Sequence, residues 1–164
     1  MNTTKEKDLT GIVEAAIERH GTHADAFIPI LLEIDHEYGY IPGEAIRLMR
    51  QRLHNPEKHT FVSEGQLHSL ASFYHMLSTK AQGRHVVQFC ESAPCHVQGG
   101  RELWQAIQKE LQLKSGETSL DGRWTLHTVS CLGVCGVGPV VVIDDDLYGN
   151  VTPNQLADIF AKYE

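Results

Sequence analysis

The sequence predicts an α/β protein in two parts, helical over its first half and built on a small sheet after it. Three observations predict this. Apolar residues keep helical spacing early on: Leu9, Ile12, Val13, Ala16 and Ile17 fall at i, i+3, i+4, i+7 and i+8. At Gln82-Gly83-Arg84 the pattern changes, and short β-branched and aromatic runs begin. A length of 164 residues suits one domain, or one with a smaller helical annex.

The first helix should stop at His20-Gly21, with glycine just past its last turn. A second is expected from about Asp25 to Tyr38, with Pro29 early enough that its missing N–H costs little, and Gly39 ending it. Pro42 can open a third helix carrying Ala45, Ile46, Leu48, Met49 and Leu53, and Asn55-Pro56 breaks it. Ser63-Glu64-Gly65-Gln66 fits a capping box, followed by helical spacing through Leu67, Leu70, Ala71, Phe73, Tyr74 and Leu77 to about Ser78. Phe73 and Tyr74 fit the apolar stripe, so core packing is expected of both rather than a cofactor shelf.

In the second half, His85 to Phe89 reads as a strand delivering Cys90. A helix is expected from Gln98 to about Leu113, with Leu103, Trp104, Ile107 and Leu111 on one face. Asp121-Gly122 marks a turn, and Trp124 to Val129 alternates as a strand delivering Cys131. Pro139 to Ile143 and Leu147-Tyr148 read as two more strands about an Asp144-Asp145-Asp146 turn, a solvated turn rather than a calcium loop. Thr152-Pro153-Asn154-Gln155 starts a last helix through Leu156, Ile159 and Phe160. The order is β-α-β-β-α, with both cysteine pairs leaving strand ends, where open α/β folds place their sites.

Composition narrows the function. The formal net charge of −7 argues against a nucleic-acid footprint, which would be basic. No apolar run approaches the roughly 20 residues of a membrane span. The first eight residues, Met1 to Asp8, lack a secretory core, so a cytoplasmic location is expected, soluble or peripheral on a membrane complex. There, clustered cysteines more often bind metal or do redox work than form disulfides.

All four cysteines lie between Phe89 and Gly138, as Cys90-x4-Cys95 and Cys131-x3-Cys135, with 35 residues between the pairs. Thiolates suit zinc, iron and iron–sulfur clusters. A [2Fe–2S] cluster needs four, two per iron, and two pairs on two loops match that demand. A structural zinc site also takes four cysteines and is open on spacing alone. A thioredoxin-type dithiol requires C-x-x-C, which neither pair supplies. The plant-type C-x4-C-x2-C pattern is absent, and a Rieske centre would need a histidine within each pair. Gly133, Gly136 and Gly138 would let backbone wrap close to the sulfurs and turn N–H groups toward them.

Together with Gly39-Tyr40-Ile41-Pro42, Phe73-Tyr74, Gly116-Glu117-Thr118, Asp121-Gly122 and Gly138-Pro139, the Cys131-Leu132-Gly133-Val134-Cys135 core resembles a known family. It is similar to the thioredoxin-like [2Fe–2S] subunit of NADH-oxidising complexes, the E component of bacterial complex I. The resemblance runs from about residue 25 to the end. Two stretches depart from it: Pro94 stands where many members have alanine, and Gly136-Val137-Gly138 is less bulky than usual.

The resemblance implies an N-terminal helical bundle over 1–80 and a thioredoxin-like [2Fe–2S] ferredoxin domain over 81–164. It implies that Cys90, Cys95, Cys131 and Cys135 ligate one [2Fe–2S] cluster, with no catalytic residue in the chain itself. FMN and NAD(H) would sit on a partner flavoprotein subunit, alongside further iron–sulfur subunits. The chain would then serve an NADH:acceptor oxidoreductase: respiratory complex I, an NAD-linked or electron-bifurcating hydrogenase, or, as the gamma-type subunit, an NAD-dependent formate dehydrogenase. The alternative from another class is a zinc-stabilised interaction module. Among ten scattered histidines, His96 stands out, because it adjoins Cys95 and would couple a cluster's potential to pH. Gly133-x-x-Gly136-x-Gly138 lacks the strand–GxGxxG–helix setting of a nucleotide loop.

Overall fold

The computed structural model describes residues 8–55 and 61–163. The chain divides after Ala81 into two compact units.

Among the described residues the first unit has four α-helices: α1 (Leu9–His20), α2 (Phe27–Tyr38), α3 (Gly43–Leu53) and α4 (Glu64–Phe73). A single 3-10 turn, Ala24–Ala26, leads into α2, and Pro29 is the third residue of that helix. Pro42 stands just outside α3 in extended conformation, as its N-cap. The Ser63 hydroxyl accepts the Gln66 N–H at 3.1 Å, fixing the start of α4. α1 packs on α2 and α3, and α4 packs on the same two helices. Ala16, Ile30, Leu31, Ile34, Ala45, Met49, Leu53, Leu67 and Ala71 are buried between them, as the helical spacing predicts.

Two expectations fail at the end of α4. The helix stops at Phe73 instead of running to about Ser78, because Tyr74 turns extended and Leu77 bonds back to the Tyr74 carbonyl at 3.0 Å. Ser78 is held instead by α2 and its exit: the Asp35 carboxylate takes its N–H at 3.0 Å, and its carbonyl accepts the Ile41 N–H at 2.7 Å. Leu77 thus reaches the core through a turn. Phe73 does not join that core and is 75% exposed, while Tyr74, edge-on to it, packs against the apolar cluster. Pro56 of the Asn55-Pro56 breaker lies outside the described residues.

The second unit is a five-stranded sheet with helices. Its strands are β1 (His85–Cys90), β2 (Glu117–Thr118), β3 (Trp124–Val129), β4 (Val141–Ile143) and β5 (Asp146–Tyr148), in the order β2-β3-β1-β4-β5. β1 and β3 are parallel, in register from His85↔Trp124 to Cys90↔Val129, and the other pairs are antiparallel. The short edge strand β2 is additional to the predicted order: Glu117 and Thr118 are exposed, so no apolar alternation announces it. The longer helix begins at Arg101, later than the predicted Gln98. Ahead of it, α5 (Ala93–Cys95) is followed by a five-residue turn, His96–Gly100, broken at Gln98 and at Gly99, whose φ is +96°.

That helix, α6 (Arg101–Leu111), and the final α7 (Leu156–Phe160) pack on each other. Leu103 and Ile107 from α6 and Leu156, Ile159 and Phe160 from α7 share one core with Val87, Phe89, Leu126, Val141 and Ile143 of the sheet. Thr125 is the one polar side chain buried among the described residues. Its hydroxyl accepts the Gly83 N–H at 2.6 Å and meets the Thr118 hydroxyl at 2.8 Å. The Asp144 turn is exposed, and it also ties down the start of β1: the Asp144 carboxylate accepts the Val86 N–H at 2.8 Å and meets His85 Nδ1 at 2.7 Å.

Candidate metal centre

Because β1 and β3 run parallel and in register, they end side by side. Cys90 is the last residue of β1, opposite Val129 at the end of β3, and Cys131 follows two residues on. The Glu91 N–H bonds to the Val129 carbonyl at 3.0 Å, holding the two exits together. β4 is antiparallel to β1, which brings Val140 alongside: its carbonyl accepts the Cys90 N–H at 3.2 Å. Cys90 and Cys95 are buried with Val140, and Leu132, Val134 and Val142 pack around them. Cys131 is exposed and Cys135 half-buried. One edge of the centre is dry, and the other faces solvent.

The thiols stand as two pairs. Cys131 and Cys135 place their sulfurs 3.3 Å apart, and Cys90 and Cys95 are near enough to act on each other's pKa. The pairs are near enough that Cys135 feels the charge of Cys90, and Cys95 that of Cys135. Among the described residues, no three His, Cys, Asp or Glu side chains converge on one point for a single ion.

Backbone N–H groups aim at the sulfurs. Gly133, held at φ +84°, where a Cβ would crowd the backbone, donates to the Cys131 sulfur at 3.4 Å. Burial works to raise the Cys90 pKa, but hydrogen bonds from the Ser92 and Leu132 backbone, the Cys95 thiol and the Ser92 hydroxyl outweigh it and hold the thiol below its usual range. Burial first, then the bond from Cys95 to Cys90, push Cys95 up, against a bond from the Val140 N–H. Cys135 is pushed up first by its hydrogen bond with Cys131. Charge on one sulfur of a pair thus opposes charge on its neighbour, as expected where a cation normally shares them.

Of the three glycines singled out from sequence, Gly133 donates as expected. Gly138 passes the first pair so closely that a Cβ would come within 3.3 Å of the Cys95 sulfur. Gly136 has open space around it. His96 is exposed, at the rim of a cleft of about 240 Å³ beside Cys90, with Glu91, Arg101, Trp104 and Thr128. Gln98 is a contact that sequence reading missed. Its side-chain amide reaches from the first cysteine turn to the Cys135 carbonyl at 3.4 Å. The sequence signal was present, in the Gln98-Gly99 interruption of an otherwise helical run.

All four donors are thiols, the Gly133 N–H donates to one of them, and the buried pair is walled by valines and a leucine. This donor set fits an iron–sulfur cluster. The sequence profile of the thioredoxin-like [2Fe–2S] ferredoxin family matches residues 13–164. The chain belongs to that family. Among its relatives is the E component of the NADH-quinone oxidoreductase of Escherichia coli (strain K12), 30% identical over 165 residues, 98% of this chain and 95% of that protein. Another is the E 2 component of the NADH-quinone oxidoreductase of Rhizobium meliloti (strain 1021), 33% identical over 151 residues, 92% of this chain and 86% of that protein. A solved NAD+-reducing [NiFe]-hydrogenase in the H2-reduced state shares the fold, with a TM-score of 0.66 and 18% identity. That likeness covers 81% of this chain and only 22% of the hydrogenase chain. Helices ahead of a thioredoxin-like ferredoxin sheet are therefore the family's architecture here, and no described helix is long and apolar enough to cross a membrane.

Proposed function

We propose that this chain is an electron-transfer subunit whose Cys90, Cys95, Cys131 and Cys135 hold one [2Fe–2S] cluster in an assembly that oxidises NADH or reduces NAD. The observation that carries the reading is the meeting of two thiol pairs at the adjacent ends of β1 and β3, under backbone N–H groups. Such a cluster takes up and returns one electron at a time. The residues of the chain do the rest. Cys90 and Cys95 would hold it from the buried side and Cys131 and Cys135 from the exposed side, and the Leu132, Gly133 and Val140 N–H groups would offset the negative charge gathered on sulfur. Val140, Leu132 and Val134 keep water from the inner pair.

In this reading the exposed side faces an FMN- and NAD-binding flavoprotein partner, with which electrons are exchanged, and further iron–sulfur subunits complete the assembly. The helical part over 1–80 belongs to assembly and the part over 81–164 carries the cluster. The described helical unit presents Phe61 and Phe73 to solvent, as surface such an assembly would cover. The names of the curated relatives support a complex I role, and the chain alone performs no bond-making step.

Anaerobic purification, iron and sulfide analysis, and EPR of the dithionite-reduced protein test this. Two irons and two sulfides per chain with a single-spin signal are expected. Zinc without sulfide would make the cysteines a structural clasp and sink the electron-transfer account. Co-purification with an FMN-containing subunit, and reduction of the signal by NADH only in its presence, test the partner.

A further inference from the structure

The turn that carries Cys135 is held from outside the cysteine motifs. Cys135–Val137 is one 3-10 turn, whose own bonds are Val137 N–H to the Val134 carbonyl at 3.1 Å and Gly138 N–H to the Cys135 carbonyl at 3.3 Å. A second set of bonds comes from the segment after β5. The Asn150 N–H donates to the Val137 carbonyl at 2.6 Å, and the Val151 N–H donates to the Pro139 carbonyl at 3.2 Å.

Between β5 and those two donors lies Gly149. A Cβ there would stand 2.9 Å from both Cβ and Cγ2 of Val137, and 3.0 Å from the Val137 carbonyl oxygen. Carbons at that separation repel, so a side chain at 149 forces one partner to move. The 149 side is the stiffer one. Tyr148 before it is paired with Val141 in the sheet, Asn150 after it already sits at φ +52°, and Val151 is buried in the sheet core. The Val137 side is a single turn at the surface, with Val137 38% exposed. Displacement therefore passes to that turn, and along it to Cys135, whose sulfur lies 3.3 Å from that of Cys131.

We infer that Gly149 is a positioning residue of the thiol centre: having no side chain, it lets the segment after β5 press against Val137 and so fixes where the Cys135 sulfur stands. This rests on the cluster reading above.

The test uses the full chain loaded with its cluster, in four variants: Gly149→Ala, Val137→Ala, the two together, and Ile159→Val as a core change elsewhere in the same unit. Gly149→Ala should keep the far-UV circular dichroism of the parent. Its EPR g-values and midpoint potential should shift, or its sulfide per chain should fall by half or more. Val137→Ala, which removes the Cγ2 that a side chain at 149 would meet, should move the same signal less. The double variant keeps the Cβ and carbonyl clashes and loses only the Cγ2 one, so it should return part of the way to the parent, and Ile159→Val should leave g-values and potential alone. The inference is overturned if Gly149→Ala matches the parent in sulfide, g-values and potential, or if Ile159→Val shifts them as far. If Gly149→Ala does not hold its fold, an unshifted Val137→Ala overturns it instead. A parent protein that binds zinc and no sulfide overturns the cluster reading and this inference with it, whereas a normal cluster in every variant overturns this inference alone.

Discussion

Val140→Ala separates the dry wall of the centre from its hydrogen bonds. Val140 is 1% exposed and packs on Cys90 and Cys95, themselves 2% and 1% exposed. Its backbone makes two contacts that alanine keeps: the carbonyl bond to the Cys90 N–H at 3.2 Å and the N–H aimed at the Cys95 sulfur. What alanine loses is two methyl groups, worth about 1.6 kcal/mol of transfer at ~0.8 kcal/mol per carbon. The residual cavity raises the expected loss to about 2–3 kcal/mol. Urea unfolding of the loaded protein, followed by visible absorbance and circular dichroism, measures this. Water admitted beside the inner sulfurs favours the more negative, reduced state, so the midpoint potential should also rise. A variant within ~0.5 kcal/mol of the parent, with the parent's potential, would refute the argument that Val140 seals the inner pair.

Thr125→Val keeps the shape of the buried side chain and removes the acceptor of the Gly83 N–H and the partner of the Thr118 hydroxyl. A loss of about 1–3 kcal/mol in urea unfolding is expected, against no loss if water replaces the hydroxyl. Burial holds the pKa of the half-buried His127 imidazole below its usual range, so the unfolded chain takes up that proton first as the pH falls. The His127 contribution should thus be complete above about pH 6.5 and decline below it, and His127→Gln should flatten that acid limb of the stability–pH curve.

The elements were legible wherever one residue pattern had one reading. The stripe of α1, the capping residues Ser63 and Thr152, and the strands that deliver Cys90 and Cys131 all stand where their side chains demand. The cysteine spacing foretold two thiol pairs, because each pair is local and the strands ahead of them are strongly patterned. Phe73 misled because it fits the stripe of α4 at the very place where the backbone leaves the helix. Gly149 was invisible for a different reason: its requirement is the nearness of Val137, and nothing in the letters around position 149 encodes that approach. Asp144 read as a solvated aspartate, and only the fold brings the Val86 N–H to it.

The parallel pairing of β1 with β3 carries a consequence for how the protein is made. During synthesis the first dithiol emerges well before the second, and the strand that must stand beside β1 follows only after a whole intervening helix. Until that long-range pairing closes, a nascent chain holds two separate dithiols and no receptacle. On the cluster reading, loading would follow that pairing, and colour would report it. On the same reading, whatever parts β1 from β3 should bleach the protein in a single step.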